Sequence, residues 1–129
     1  MDKCTIKIKT TVDDSSQENT FQGECFIGES VLLCYRDNGA QVRVTIQGTN
    51  AVVERTGDYG MLLNLTPNQT TQGVLSIGEY SGEVQTKTEQ VECRVFGNEI
   101  FILLRYALVT GTEEQKMKLF ITARKEKNK

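Results

Sequence analysis

The sequence predicts an all-β fold, an antiparallel up-and-down β-barrel of about 8–10 strands. Three observations carry this prediction. Apolar residues recur with period two along most of the chain, which gathers them on one face of an extended strand. Turn signals interrupt that alternation every ~8–12 residues, the spacing of consecutive hairpins. No stretch repeats apolar residues at helical spacing over three turns. Sequential hairpins favour closure, because a closed sheet leaves no edge strand unpaired. An open two-sheet sandwich is the competing architecture.

The elements follow in order. CTIKIKTTV sets Cys4, Ile6, Ile8 and Val12 on one face, with Lys7 and Lys9 on the other. The polar stretch over residues 13–19 reads as a loop. TFQGECFIG then places Phe21, Gly23 and Cys25 in phase, and SVLLCYRD runs on to Asp37-Asn38-Gly39. Asn and Gly tolerate the positive φ of a type I′ turn, so this tripeptide is the strongest hairpin signal in the chain. AQVRVTIQG gives the cleanest alternation, with Val42, Val44 and Ile46 inward and Arg43, Thr45 and Gln47 outward. Gly48-Thr49-Asn50 turns into AVVERTG, and YGMLLNLT and GVLSIGEY lie on either side of the sole proline, Pro67.

GEVQTKTEQVECRVF reads as one long strand bulged near Thr88, since its inward phase shifts between Val84 and Val91. Gly97-Asn98 turns into EIFILLRYALVTG, and TGTEE turns into KMKLFITAR, where Met117, Leu119 and Ile121 share a face. The same phasing puts Met61, Leu63, Leu75, Ile77, Val95, Ile102 and Leu104 inside. Residues 125–129 read as a basic, frayed tail. No linker or repeat divides the chain, so residues 1–129 form a single predicted domain.

Composition removes several functions. Of 129 residues, 15 are basic and 17 acidic, a net charge of −2, without the broad positive field that nucleic acid requires. The start, MDKCTIKIKT, alternates where a secretory signal has a continuous apolar run. Nor does any stretch reach the ~20 apolar residues of a spanning helix. The expectation is a cytoplasmic protein with no membrane or nucleic-acid partner. Histidine is absent, which removes Ser-His-Asp and Cys-His chemistry and the usual general base near neutral pH. Cys4, Cys25, Cys34 and Cys93 stand singly inside strands rather than in C-x-x-C couples, and read as small buried hydrophobes. Cys25 and Cys34, on neighbouring strands, are the pair best placed for a bridge. The sequence therefore predicts no enzyme, no catalytic residue, no metal site and no cofactor.

From ERTGDYGMLLNL onward the chain resembles a known family. Arg55-x-Gly57, the Gly-bounded hairpin GEYSGEV, the Thr-rich bent strand QTKTEQVECRVF, the strand ending LLRYAL and the closing KMKLFITARKE carry the likeness. It is similar to the YwiB-like bacterial domain-of-unknown-function family (DUF1934), strongest over residues 52–108. The resemblance implies a calycin-like, lipocalin-like barrel and no established activity. Before Gly82 the chain departs from the family pattern, with Ile77 at the position of a tyrosine and Glu79-Tyr80 in place of Thr-Pro. Calycin barrels bind small apolar molecules, an analogy at the level of fold.

Three residues form the candidate ligand site. Arg55 shares phase with Val53, and Glu79 shares phase with Leu75 and Ile77, so both side chains are expected at a barrel mouth, with Tyr106 inside. Arg55 would anchor an anionic head group, or it would pair with Glu79 and cap the barrel. The interior is either filled by side chains or open to one small ligand. The first function is non-enzymatic binding of a small, partly apolar ligand. The alternative is a structural or interaction module with a filled barrel.

One run is apolar on both faces. In EIFILLRYALV, Ile100, Ile102, Leu104, Tyr106 and Leu108 face one way, and Phe101, Leu103, Ala107 and Val109 the other. Pairing across TGTEE brings Leu103 near Phe120, so Phe101, Leu103 and Phe120 form an outer apolar group. Such a group requires a cover. The N-terminal strand or a loop would supply it, or a second subunit through a two-fold contact in a homodimer.

Overall fold

Two-residue turns set the architecture. Asn38 and Gly39 adopt φ of 49° and 86°, and the chain reverses between Asp37 and Ala40. These angles belong to the left-handed region that Asn and Gly tolerate. The computed structural model describes residues 1–126, with ten strands. In order they are β1 (Asp2–Val12), β2 (Ser15–Ile27), β3 (Ser30–Asp37), β4 (Ala40–Gln47) and β5 (Asn50–Thr56). Then come β6 (Tyr59–Leu65), β7 (Thr70–Ile77), β8 (Tyr80–Phe96), β9 (Glu99–Thr110) and β10 (Glu113–Lys125).

Each strand pairs antiparallel with its predecessor, and β1 also pairs with β10. The result is a closed up-and-down barrel rather than a sandwich. Five turns, those joining β1–β2, β3–β4, β5–β6, β7–β8 and β9–β10, gather at one end, which we call the mouth. β1 begins and β10 ends at the opposite end, the base.

The phase of the strands builds the core as expected. Cys4, Ile6, Leu33, Leu63, Leu65, Ile100 and Leu104 are each 0 % accessible. β8 shifts register between Thr88 and Gln90, the bulge that the phase change predicts. Gly73 on β7 is buried, and a Cβ there would lie 2.6 Å from the Leu62 carbonyl oxygen and 2.9 Å from a Leu63 methyl.

Four expectations need correction. The stretch over residues 13–19 is largely strand, because β2 begins at Ser15 and pairs with β1 through the whole run. Its pattern misleads because Ser15–Thr20 are exposed throughout, so neither face selects apolar residues. Ile77 and Val95, assigned inward, are exposed, at 64 % and 39 %. Ile77 stands at the lip between Tyr59 and Tyr80, and Val95 lies past the last residue of β8 that β7 pairs, Lys87. The tail is also not wholly frayed. Lys125 belongs to β10 and its ammonium lies 3.1 Å from Asp2, while the Glu126 amide donates to the Lys3 carbonyl at 2.9 Å. The remainder of that predicted tail, 127–129, lies outside the described residues.

Two substitutions test this packing. Gly73→Ala pushes a methyl against backbone and is expected to destabilise the fold by about 1–3 kcal/mol in urea titration. Leu104→Ala empties the barrel centre and is expected to cost about 2–5 kcal/mol by the same measurement.

Candidate functional site

The two halves of the barrel interior are packed differently. A void wide enough for water leaves accessible area on the side chains that line it. At the base and centre Ile6, Leu33, Leu63 and Leu104 have none, and Val44, Ile102 and Ile121 keep 1 %. That belt is filled, while Ile27, Val91 and Cys93 around it stay partly exposed. Toward the mouth the inward side chains Tyr35, Met61, Leu75, Leu108 and Met117 pack on the core yet stay partly exposed. A cleft of about 510 Å³ opens there, with Leu75, Val84 and Leu108 as its floor and Asp13, Glu113 and Glu114 at its rim. The Asp13 turn is fixed to β10 by two bonds. The Asp13 amide donates to the Lys116 carbonyl at 2.8 Å, and the Lys116 amide donates to Asp13 Oδ1 at 3.1 Å.

The three predicted site residues do not form one group. Arg55 stands one residue before the end of β5, opposite Val42 and Met61, and its side chain is only 12 % accessible. Its guanidinium Nη1 donates to Asp58 Oδ1 at 2.8 Å and to the Tyr59 carbonyl at 3.2 Å. The same guanidinium stacks on the Tyr59 ring, 3.8 Å from the centroid. The donated hydrogen bond holds the Asp58 carboxyl below the usual carboxylate range. Arg55 thus closes a salt bridge at the mouth, with Asp58 rather than Glu79 as its partner. Glu79 stands exposed in the turn after Gly78, on a hairpin tip that has already left the barrel wall.

Tyr106 lies deeper, opposite Thr88 and Met117, and is 5 % accessible. Burial drives its phenol well above the usual range, so it stays protonated. Tyr35, stacked on Phe21 at 4.6 Å, is pushed up to about 12, first by burial and then by Asp37. Strand phase alone does not single out two inward threonines. Thr86 and Thr88 are buried, at 0 % and 4 %, and neither hydroxyl has a hydrogen-bond partner. Thr86 faces inward one row below Val84 and directly opposite Leu108, both of which floor the cleft. The Thr-rich strand with its bulge is the sequence signal that could have found them.

The cysteines are free thiols. Cys25 faces the core opposite Leu33, whereas Cys34 alternates outward opposite Glu24, so the expected pair points to opposite faces. Cys4 instead lies against Cys25, and burial, followed by that neighbour, pushes its thiol up to about 12. Among the described residues no group of three or more His, Cys, Asp or Glu side chains is placed to hold a metal ion.

On the outer wall Phe120 pairs directly with Leu103, and Phe101 meets Phe96 edge-on at 6.0 Å. β1 is a wall strand beside β10, so the N-terminal strand does not lie over this group, and Phe120 is 42 % exposed.

Comparison with known proteins places this architecture. No curated protein matches the chain. The crystal structure of the ywiB protein from Bacillus subtilis superposes with a TM-score of 0.85 at 18 % identity, over 98 % of this chain and 93 % of that one. At that identity the likeness shows the fold alone. A family profile described as a domain of unknown function, DUF1934, matches residues 3–121, so the chain belongs to that family.

Proposed function

We propose that the protein is a non-enzymatic binding module whose barrel mouth, not its centre, receives a small, partly apolar molecule. One observation carries this reading. The inward side chains Ile6, Leu33, Leu63 and Leu104 are fully enclosed, whereas Leu75 and Leu108 at the mouth stay half-buried and, with the buried Val84, floor a cleft of about 510 Å³. That volume falls within the roughly 300–1,000 Å³ of small-molecule sites. Arg55 is already neutralised by Asp58 and covered by Tyr59, which argues against an anionic head group bound through it. The likeness to calycin barrels supports the reading only by analogy of fold.

Absence of enzymatic activity fits the buried phenols and thiols, which burial drives away from the ionised form that a nucleophile or base requires. Four free thiols support a reducing, cytoplasmic setting. The outward positions Arg43, Lys87, Glu92 and Arg94 support a wall bathed in water, because charges facing lipid are costly. Protein purified from its own host is expected to carry a small-molecule adduct in native mass spectrometry and to brighten the neutral dye Nile red. Leu108→Lys is expected to abolish both while leaving the unfolding midpoint within a few degrees. Absence of adduct and of dye binding in the unsubstituted protein overturns the reading.

A second reading follows from the outer wall. The row Lys9, Phe120, Leu103, Glu92 runs across β1, β10, β9 and β8. A two-fold axis along the strands between β9 and β10 sets Phe120 on Leu103 of the partner subunit and Lys9 against Glu92 of the partner subunit. The adjacent row, Lys7, Thr122, Phe101, Arg94, sets Lys7 against a like charge, which ranks this homodimer below the mouth reading. Light scattering at high protein concentration is expected to give a dimer mass that Phe120→Asp reduces to monomer. A strictly monomeric native protein rejects it.

A further inference from the structure

We infer that the outer wall built by β8, β9, β10 and β1 docks on an anionic lipid surface, its aromatic side chains entering between lysines and arginines. The inference is independent of the mouth reading. A nearly balanced total charge conceals a segregation. Five successive rows cross this wall, from Thr5, Arg124, Glu99 and Phe96 nearest the base to Lys116, Ala107 and Lys87 nearest the mouth. Together with the bulge residue Glu89 they hold eight basic side chains and three acidic ones. The remaining described residues hold five basic and fourteen acidic side chains. The wall is a positive face on a chain of net charge −2, so an anionic partner is drawn to this side alone.

Three of the eight cations are already held. Arg105 lies 3.4 Å from Glu89, Arg124 3.4 Å from Glu99 and Lys7 3.8 Å from Glu18. Lys9, Lys87, Arg94, Lys116 and Lys118 are exposed and make no ion pair among the described residues. Three of these five border the apolar group of the wall. Lys9 pairs with Phe120, Arg94 pairs with Phe101, and Lys118 stands two residues before Phe120 on the same face of β10.

The apolar group is a second, independent observation. Phe120 is 42 % exposed beside Leu103, and Phe96, 61 % exposed, meets Phe101 edge-on at 6.0 Å. Apolar rings among ammonium and guanidinium groups suit the boundary between lipid headgroups and acyl chains. The rings enter that boundary while the cations stay on the phosphates. Long basic side chains carry their charge back to headgroup level, so none has to enter hydrocarbon. The wall therefore lies on the surface and crosses nothing. A second copy of the chain fits less well, because it sets Lys7 against a like charge, whereas lipid phosphates satisfy Lys7 and Arg94 alike. Single-stranded nucleic acid fits less well too. Its bases stack on separate open rings, whereas Phe101 is half-buried against Phe96 and Phe120 abuts Leu103.

Vesicle flotation of the unsubstituted protein, with phosphatidylcholine alone or mixed equally with phosphatidylglycerol, tests the charge requirement. Binding to the anionic vesicles is expected to be about tenfold tighter and to be lost as salt is added. The double substitution Lys9→Gln, Lys118→Gln is expected to weaken it about tenfold while leaving the unfolding midpoint unchanged. The chain has no tryptophan, so a single introduced indole reports the docking face. The emission of Phe120→Trp is expected to shift to the blue on anionic vesicles. That of Tyr80→Trp, at a mouth position 83 % exposed, is expected to stay unchanged. Failure of the unsubstituted protein to float, or equal binding to phosphatidylcholine alone, overturns the inference. A shift at Tyr80→Trp instead of Phe120→Trp assigns docking to the mouth and overturns it as well. Blue emission from Phe120→Trp before vesicles are added shows a second copy on the wall, and binding of oligouridylate without binding of vesicles shows a nucleic-acid face. Either result rejects the lipid surface.

Discussion

The barrel closes because two pieces of backbone come nearer than any side chain would allow. β2 pairs with β1 from Ser15 to Cys25 but with β3 only from Gly23 to Ile27. At the start of that short seam a Cβ on Gly23 would lie 2.3 Å from the Cys34 carbonyl oxygen and 2.8 Å from Ile6. Glycine removes the obstacle, the carbonyl and the Ile6 methyl take the space, and β2 joins β3 over Gly23–Ile27. Without that seam the edges of β2 and β3 would be open to solvent and to other chains.

Closure then divides the interior. The strands enclose Ile6, Leu33, Leu63 and Leu104 completely, and a close-packed interior of that kind resists both ligands and substitutions. At the mouth the hairpins differ in length, and the same inward phase ends in half-buried residues such as Leu75 and Leu108. The acidic turns are a consequence of the same topology. Up-and-down order sends every second turn to one end, and each of the five that arrive there carries a carboxylate. At the mouth, apolar side chains and exposed carboxylates thus share one cleft.

The outer wall of β9 and β10 is a separate problem. β9 is apolar on both faces because it must fill the barrel with Ile102 and Leu104 while Phe101 and Leu103 stand outside with Phe120. Lysine stems on β1 and the Phe96 ring border the group but leave it exposed. Its apolar surface is a reason for association, and the like charges one row away are a reason for weak association.

Period-two alternation and turn chemistry are local properties, so the sequence by itself determined the strands, the Asn38-Gly39 reversal and the bulge near Thr88. It also placed Phe120 beside Leu103, since one tight turn fixes that register. It failed for Ser15–Thr20, where both faces are wet and no alternation is required. Asp58 lies three residues from Arg55, within reach of sequence reasoning, but phase drew attention to Glu79 instead. Only the tertiary structure decided which end of the barrel stays open, which hydroxyls are buried without partners and which carboxylates share a cleft. Those features depend on the stagger of strands distant in the chain, and no local pattern records where two such strands end relative to each other.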